Sequence, residues 1–221
     1  MSVETRCLPV PGGRDVDVTV RISTELAPAA PPDWLPLTDD DRTRLTAFRN
    51  EDDARRFVTA RLLVADQMRS IGVPLSEVRL VRRRDTAGEW KPVLRSSGSR
   101  NLPSVSLSHS RSWVVAAFAH GAQVGIDVEA HAAFDPLDRE VLSHVFTPRE
   151  LLGVSTPRDA AVLFTRKEAV LKALGFGFAI DPLTLELDGC RVHRFDSPEA
   201  RPLSLSPLTV PGAASAALAL C

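Results

Sequence analysis

The feature that most constrains the fold is one helix. Residues 157–174 open with Pro157, which suits a first helical turn, and stop at Gly175, which suits the left-handed position after a helix. At about 100° per residue, Leu163, Phe164, Val170, Leu171 and Leu174 make one apolar stripe. That stripe has to be covered by another layer. Strand-like segments supply it: Val16, Val18 and Val20 alternate with polar residues, and Ser104–Ser108 and Trp113–Ala119 have strand length. Gln123–Glu129 reads as the hairpin partner of Trp113–Ala119. Leu183–Leu187, Val192–Phe195 and the stretch from Ala213 read as closing strands.

A second helical region runs from about Asp39 to Ile71, opened by Thr38 and stopped by Gly72 and Pro74, with strand character returning at Val78–Val81. Gly88–Arg100 is polar and turn-rich, Pro136–His144 reads as helical, and Thr147-Pro148 opens a short helix. Each half thus holds strands and a long helix. The expected class is α+β, with an N-terminal subdomain over 1–103 and a C-terminal one over 104–221. A chain of 221 residues can bury such a core without staples.

Charge and composition exclude several classes. With 27 basic and 28 acidic side chains the net charge is -1, unlike the basic excess of a general nucleic-acid binder. No apolar run approaches the roughly 20 residues of a membrane span. The start resembles no secretory leader, and three scattered cysteines give no disulfide or metal framework, so a reducing cytoplasm is expected. Only three of the 27 basic residues are lysines: Lys91, Lys167 and Lys172. A chain that prefers arginine and still uses lysine can be using the compact, flexibly tethered ammonium.

Chemistry-bearing residues gather in the second half. In Gly125-Ile126-Asp127-Val128-Glu129, Ile126 and Val128 share one strand face and Asp127 and Glu129 the other. Two carboxylates so placed repel, which leaves a solvated outer face or a hard-cation site. Lys167 lies near the middle of the helix stripe, where an ammonium must be paired or border a cleft. Glu168 and Lys172 are four apart and could be an exposed helix ion pair. Ser108-His109-Ser110, with Arg111, would suit a phosphate or a polar ring.

Taken in order, Lys91-Pro92, Ser108-His109-Ser110, Gly125–Glu129, Phe146-Thr147-Pro148-Arg149-Glu150 and Phe164-Thr165-Arg166-Lys167-Glu168 followed by Lys172 and Gly175 make the chain resemble the 4'-phosphopantetheinyl transferases of the surfactin-synthetase-activating type. The resemblance spans roughly residues 40–187. It implies two similar α+β halves about a pseudo-twofold axis with the cleft between them, in a fused, monomeric chain. The implied reaction moves the phosphopantetheine arm of coenzyme A to a serine of an apo acyl or peptidyl carrier domain, as in secondary-metabolite biosynthesis, and releases adenosine 3',5'-bisphosphate. It further implies Asp127, Glu129 and Glu150 as ligands of magnesium, with manganese as a substitute. Lys172 would contact the pyrophosphate, Lys167 would order the carboxylates, and Glu168 would accept the serine proton. Arg44, Lys91, Pro92, Ser108 and His109 would hold the nucleotide and its 3'-phosphate. The chain departs from the family pattern at Phe164, where Trp is frequent, at Trp90, where Gly is common, and at Asp41, where a lysine is expected near Arg42 and Arg44. Two other readings use the same residues: a magnesium-dependent hydrolase of a nucleotide or coenzyme A diphosphate, and an inactive carrier-binding module.

Overall fold

The computed structural model describes residues 2–10, 14–84, 90–176, 180–198 and 200–221. In chain order the main elements are β1 (Ser2–Val10), β2 (Arg14–Ser23), α1 (Asp39–Ala47), α2 (Glu51–Ser70), β3 (Val78–Arg84), β4 (Trp90–Ser96), β5 (Ser104–Ser110), β6 (Trp113–Ala119) and β7 (Val124–Ala130). There follow α3 (Arg139–Leu142), α4 (Pro148–Leu151), α5 (Pro157–Leu174), β8 (Leu185–Asp188), β9 (Arg191–Phe195), β10 (Ser204–Leu208) and β11 (Ala214–Leu220). The fold is mixed α and β.

Two sheets carry it, one in the order β1-β2-β6-β5 and the other β10-β11-β7, with β3-β4 and β8-β9 as separate hairpins. The sheets pack face to face. Val16, Val18, Val20 and Ile22 of β2 and Val115 and Ala117 of β6 meet Ile126 and Val128 of β7 and Leu218 and Leu220 of β11 in one buried core. The outer face of the first sheet is covered by α2, through Ala60, Leu63, Val64 and Met68. That of the second is covered by α5, through Ala169, Val170, Leu171 and Ala173. The period of two along each strand therefore sends alternate residues to the shared core and to a helix.

Several elements differ from the sequence expectation. The helix over 39–71 is two helices, because Phe48 is extended and the Asn50 side chain caps α2 by accepting from Asp52 N at 2.8 Å. Within Gly88–Arg100, residues 90–96 form β4 against β3. The strand at 124–130 pairs antiparallel with β11, not with β6, whose neighbours are β2 and β5. In 136–144 only Arg139–Leu142 is helical. Strand pairing also runs across residue 103: β6 bonds to β2 from Val18↔Ala119 to Ser23↔Val114.

β5 and β7 lie side by side and run the same way, joined by side chains. Ile126 N donates to Ser106 Oγ at 3.0 Å and Ala130 N to Ser110 Oγ at 3.1 Å. The alternate serines of β5 thus hold the edge of the second sheet against the first, and the candidate site straddles this seam.

Candidate active site

Gly125 sets the geometry. A Cβ there would collide with the backbone of Ala169 and Ala173, so α5 lies directly on β7. Close packing of strand and helix puts Asp127 and Glu129 beside Glu168 and Lys172 at the edge of a cavity of about 610 Å³. Helix α5 is fixed at both ends. Thr156 accepts from Asp159 N in a capping box, and Gly175 closes the helix at φ +89°, a left-handed value that strongly favours glycine.

One end of the cavity is acidic. Asp127 is 3% exposed; its Oδ1 accepts from Lys172 Nζ at 2.6 Å and from Ser108 Oγ at 2.6 Å. Its Oδ2 is buried with no hydrogen-bond partner among the described residues. Glu129 accepts from Ser110 Oγ at 2.7 Å, and burial pushes its carboxyl above the ordinary value. Glu168 is pushed up to about 7, chiefly by burial, with Asp127 and Glu129 raising it further and Lys172 opposing them. The exposed ion pair that spacing allowed for Glu168 and Lys172 does not form: Glu168 is buried and Lys172 bonds to Asp127 instead.

The other end is basic and aromatic. Arg44, Arg61 and Arg82 line it with Phe48 and Phe57, and Arg61 stacks 3.6 Å over the Phe57 ring. Arg61 also donates to Asp41 Oδ1 at 2.6 Å, and Asp41 accepts from Thr38 N in the capping box of α1. The acid at the position expected to be lysine is therefore a cap and an arginine anchor. Ser108, His109, Pro92 and Phe164 also line the cavity, as does Asp53, whose carboxylate accepts from Arg56 at 2.7 Å. His109 is held below its usual value by burial, then by Arg56 and Lys172, which favours the neutral ring.

The expected residues divide. Asp127, Glu129, Glu168, Lys172, Ser108, His109, Pro92 and Arg44 are gathered at this cavity, while Glu150, Lys167 and Lys91 are not among its lining. Glu150 has its oxygens committed elsewhere: Oε2 accepts from Lys167 Nζ at 2.7 Å and Thr147 N at 2.8 Å, and Oε1 from Leu187 N at 2.9 Å. Lys167 and Glu150 are each 1% exposed at the side chain, so the mid-stripe lysine is paired, as its position requires. Lys91 Nζ donates to Gln123 Oε1 at 3.0 Å. Gly88 and Glu89 lie outside the described residues, as does the Trp90 side chain. Arg61 and Arg82 are the lining cations that the sequence did not single out.

No three His, Cys, Asp or Glu side chains among the described residues stand already at coordination spacing. The donor set nevertheless fits a hard divalent cation: of the four carboxylates that line the cavity, Asp53 is paired with Arg56, while Asp127, Glu129 and Glu168 stand together, and one buried oxygen, Asp127 Oδ2, lacks a partner among the described residues.

Residues 123–217 match the model of the 4'-phosphopantetheinyl transferase superfamily. A 4'-phosphopantetheinyl transferase, HetI of Nostoc sp., is 28% identical over 150 residues, which take in 65% of this chain and 61% of that protein. The match thus covers less than two thirds of the relative's length. The segment that presents Asp127, Glu129, Glu168 and Lys172 to the cavity is the segment that is similar to 4'-phosphopantetheinyl transferases.

Proposed function

We propose that the chain is a 4'-phosphopantetheinyl transferase that moves the phosphopantetheine arm of coenzyme A to a serine of an apo carrier domain. The observation that carries this reading is the two-ended cavity, with arginines and aromatic rings at one end and three carboxylates with Lys172 at the other. Coenzyme A has matching parts: a purine ring and 3'-phosphate for the first end and a diphosphate for the second. The carrier serine oxygen attacks the phosphorus that bears the pantetheine arm. The bond to the bridging oxygen breaks, and adenosine 3',5'-bisphosphate leaves with that oxygen.

Asp127 and Glu129 would hold a magnesium ion, and Glu168 would take the third place that the resemblance gave to Glu150. The ion, when bound, supplies Lewis-acid neutralisation of the diphosphate and its leaving oxygen. Lys172 projects into the same end and would meet the diphosphate, while Arg44, Arg61 and Arg82 would take the nucleotide phosphates. The buried Lys167–Glu150 pair would fix the rotation of α5 and so aim the neighbouring Glu168. When it does not hold the ion, a Glu168 carboxyl pushed up to about 7 is suited to accept the serine proton. Glu168→Gln separates these roles: lost Mn²⁺ affinity marks a ligand, and unchanged affinity with lost turnover marks the base.

The reading extends to the surfactin-synthetase-activating type, to a monomer and to the cytoplasm. Among the described residues no helix is long and apolar enough to cross a membrane. The pseudo-twofold arrangement is supported by strand order: β2-β6-β5 and β7-β11-β10 have the same sequence of neighbours, each with a long helix and a hairpin between its first strand and the rest. On that correspondence the halves divide at residues 120–123, not at 103. The test is mass spectrometry of an apo carrier domain incubated with the chain, coenzyme A and Mg²⁺. The phosphopantetheine increment is expected on the carrier. Coenzyme A hydrolysed beside an unmodified carrier would favour the hydrolase.

A further inference from the structure

We propose that Lys172 is an electrostatic gate: its ammonium guards the Asp127 carboxylate against a bare divalent cation and yields it to a cation that arrives with a diphosphate. The inference rests on the cation-site reading above and goes beyond it, because it assigns an order of binding. Lys172 Nζ has three acceptors, Asp127 Oδ1 at 2.6 Å, Ser108 Oγ at 3.2 Å and Ile126 O at 3.3 Å, which match its three N–H donors. The Asp127 side chain is 4% exposed and that of Lys172 26%, so their attraction acts in a medium less screening than water.

The two Asp127 oxygens differ. Oδ1 accepts from both Lys172 and Ser108, while buried Oδ2 has no partner among the described residues. A divalent ion drawn to Oδ2 would share one carboxylate with an ammonium, and the two cations would repel across it. An incoming diphosphate changes the balance. It supplies negative charge to both cations, and Lys172, part-exposed on a flexible stem, can follow it off Asp127. A planar arginine fork would be less free to move, which gives this site a reason for one of the three lysines among 27 basic residues. Cation and diphosphate affinities are then coupled, each tightening the other by the same factor.

The test is Mn²⁺ binding to the full chain followed by electron paramagnetic resonance, without and with coenzyme A and with no carrier present. Without coenzyme A, Lys172→Met is expected to bind Mn²⁺ at least tenfold more tightly than the unsubstituted chain, while Lys172→Arg, which keeps the charge, stays within threefold of it. Coenzyme A should tighten Mn²⁺ binding at least tenfold in the unsubstituted chain and less than threefold in Lys172→Met. Equal or weaker Mn²⁺ binding by Lys172→Met, with binding lost in Asp127→Asn, overturns the gate and leaves the cation site standing. Binding unaltered by Asp127→Asn overturns both. Lys172→Gln, with circular dichroism of each variant, provides a second neutral side chain should Lys172→Met not fold.

Discussion

Asp127 is the residue on which the site turns. It sits on the strand face opposite the shared core and is held by Ser108 and Lys172, with its other oxygen buried and without a hydrogen-bond partner among the described residues. Asp127→Asn keeps the volume and removes the charge, so transfer should fall by more than about 100-fold while the circular dichroism spectrum is unchanged, since even outer-shell changes at metal sites cost 10–100-fold. Retained activity at saturating Mg²⁺ would contradict the ligand assignment. Glu168 allows a pH prediction. Its carboxyl is raised from 4.5 to about 7, so between those values the folded chain keeps a proton that the unfolded chain releases. That contribution to stability is complete below about pH 4.5 and is lost as the pH rises through 7, with a ceiling on the order of 3 kcal/mol. Glu129, also raised, acts in the same direction. Urea unfolding in EDTA should show the difference between Glu168→Gln and the unsubstituted chain growing in favour of the variant from about pH 5 to 8. A difference that shrinks over that range would show the opposite sign.

At the scale of elements, α5 on β7 is the critical contact. Gly125→Ala would drive a methyl into the Ala169 and Ala173 backbone, which cannot give way as a flexible side chain can. Thermal unfolding should show a loss above about 3 kcal/mol, the upper range for single substitutions; a variant of ordinary stability would mean that helix and strand are not so close. Breaking the buried Glu150–Lys167 pair with Lys167→Ala should cost about 3–5 kcal/mol, because it strands a carboxylate. Helix α5 with its caps was legible in the sequence, as were the paired Lys167 and the common face of Asp127 and Glu129, because each follows from local periodicity. The role of Glu150 was legible too, in another motif: Thr147-Pro148-Arg149-Glu150 has capping-box spacing, and the structure uses Glu150 as that cap. Other features had no local signal. The partner of β7 lies some ninety residues on, at Asp127↔Ala217, and a short apolar strand does not encode which edge it will meet. Arg61 and Arg82 come to the cavity from α2 and β3, and in an arginine-rich chain nothing in their spacing sets them apart.

At the scale of the whole molecule, the two sheets share one core, so neither half has a complete apolar face alone. Urea unfolding should therefore be a single transition, with far-ultraviolet circular dichroism and tryptophan fluorescence coincident; two separated transitions would show independently folding halves. The same arrangement makes the site a property of the assembled chain. Its arginines come from elements before residue 103 and Asp127, Glu129 and Glu168 from elements after it, and the serines of β5 tie the two along the seam. The most direct measurement is a crystal structure of the chain with coenzyme A and Mg²⁺. The predicted result is an ion on Asp127, Glu129 and Glu168, the diphosphate beside Lys172 and the nucleotide against Arg44, Arg61 and Arg82, with Glu150 still bonded to Lys167. An ion on Glu150, or a diphosphate bound away from the β5–β7 seam, would contradict it.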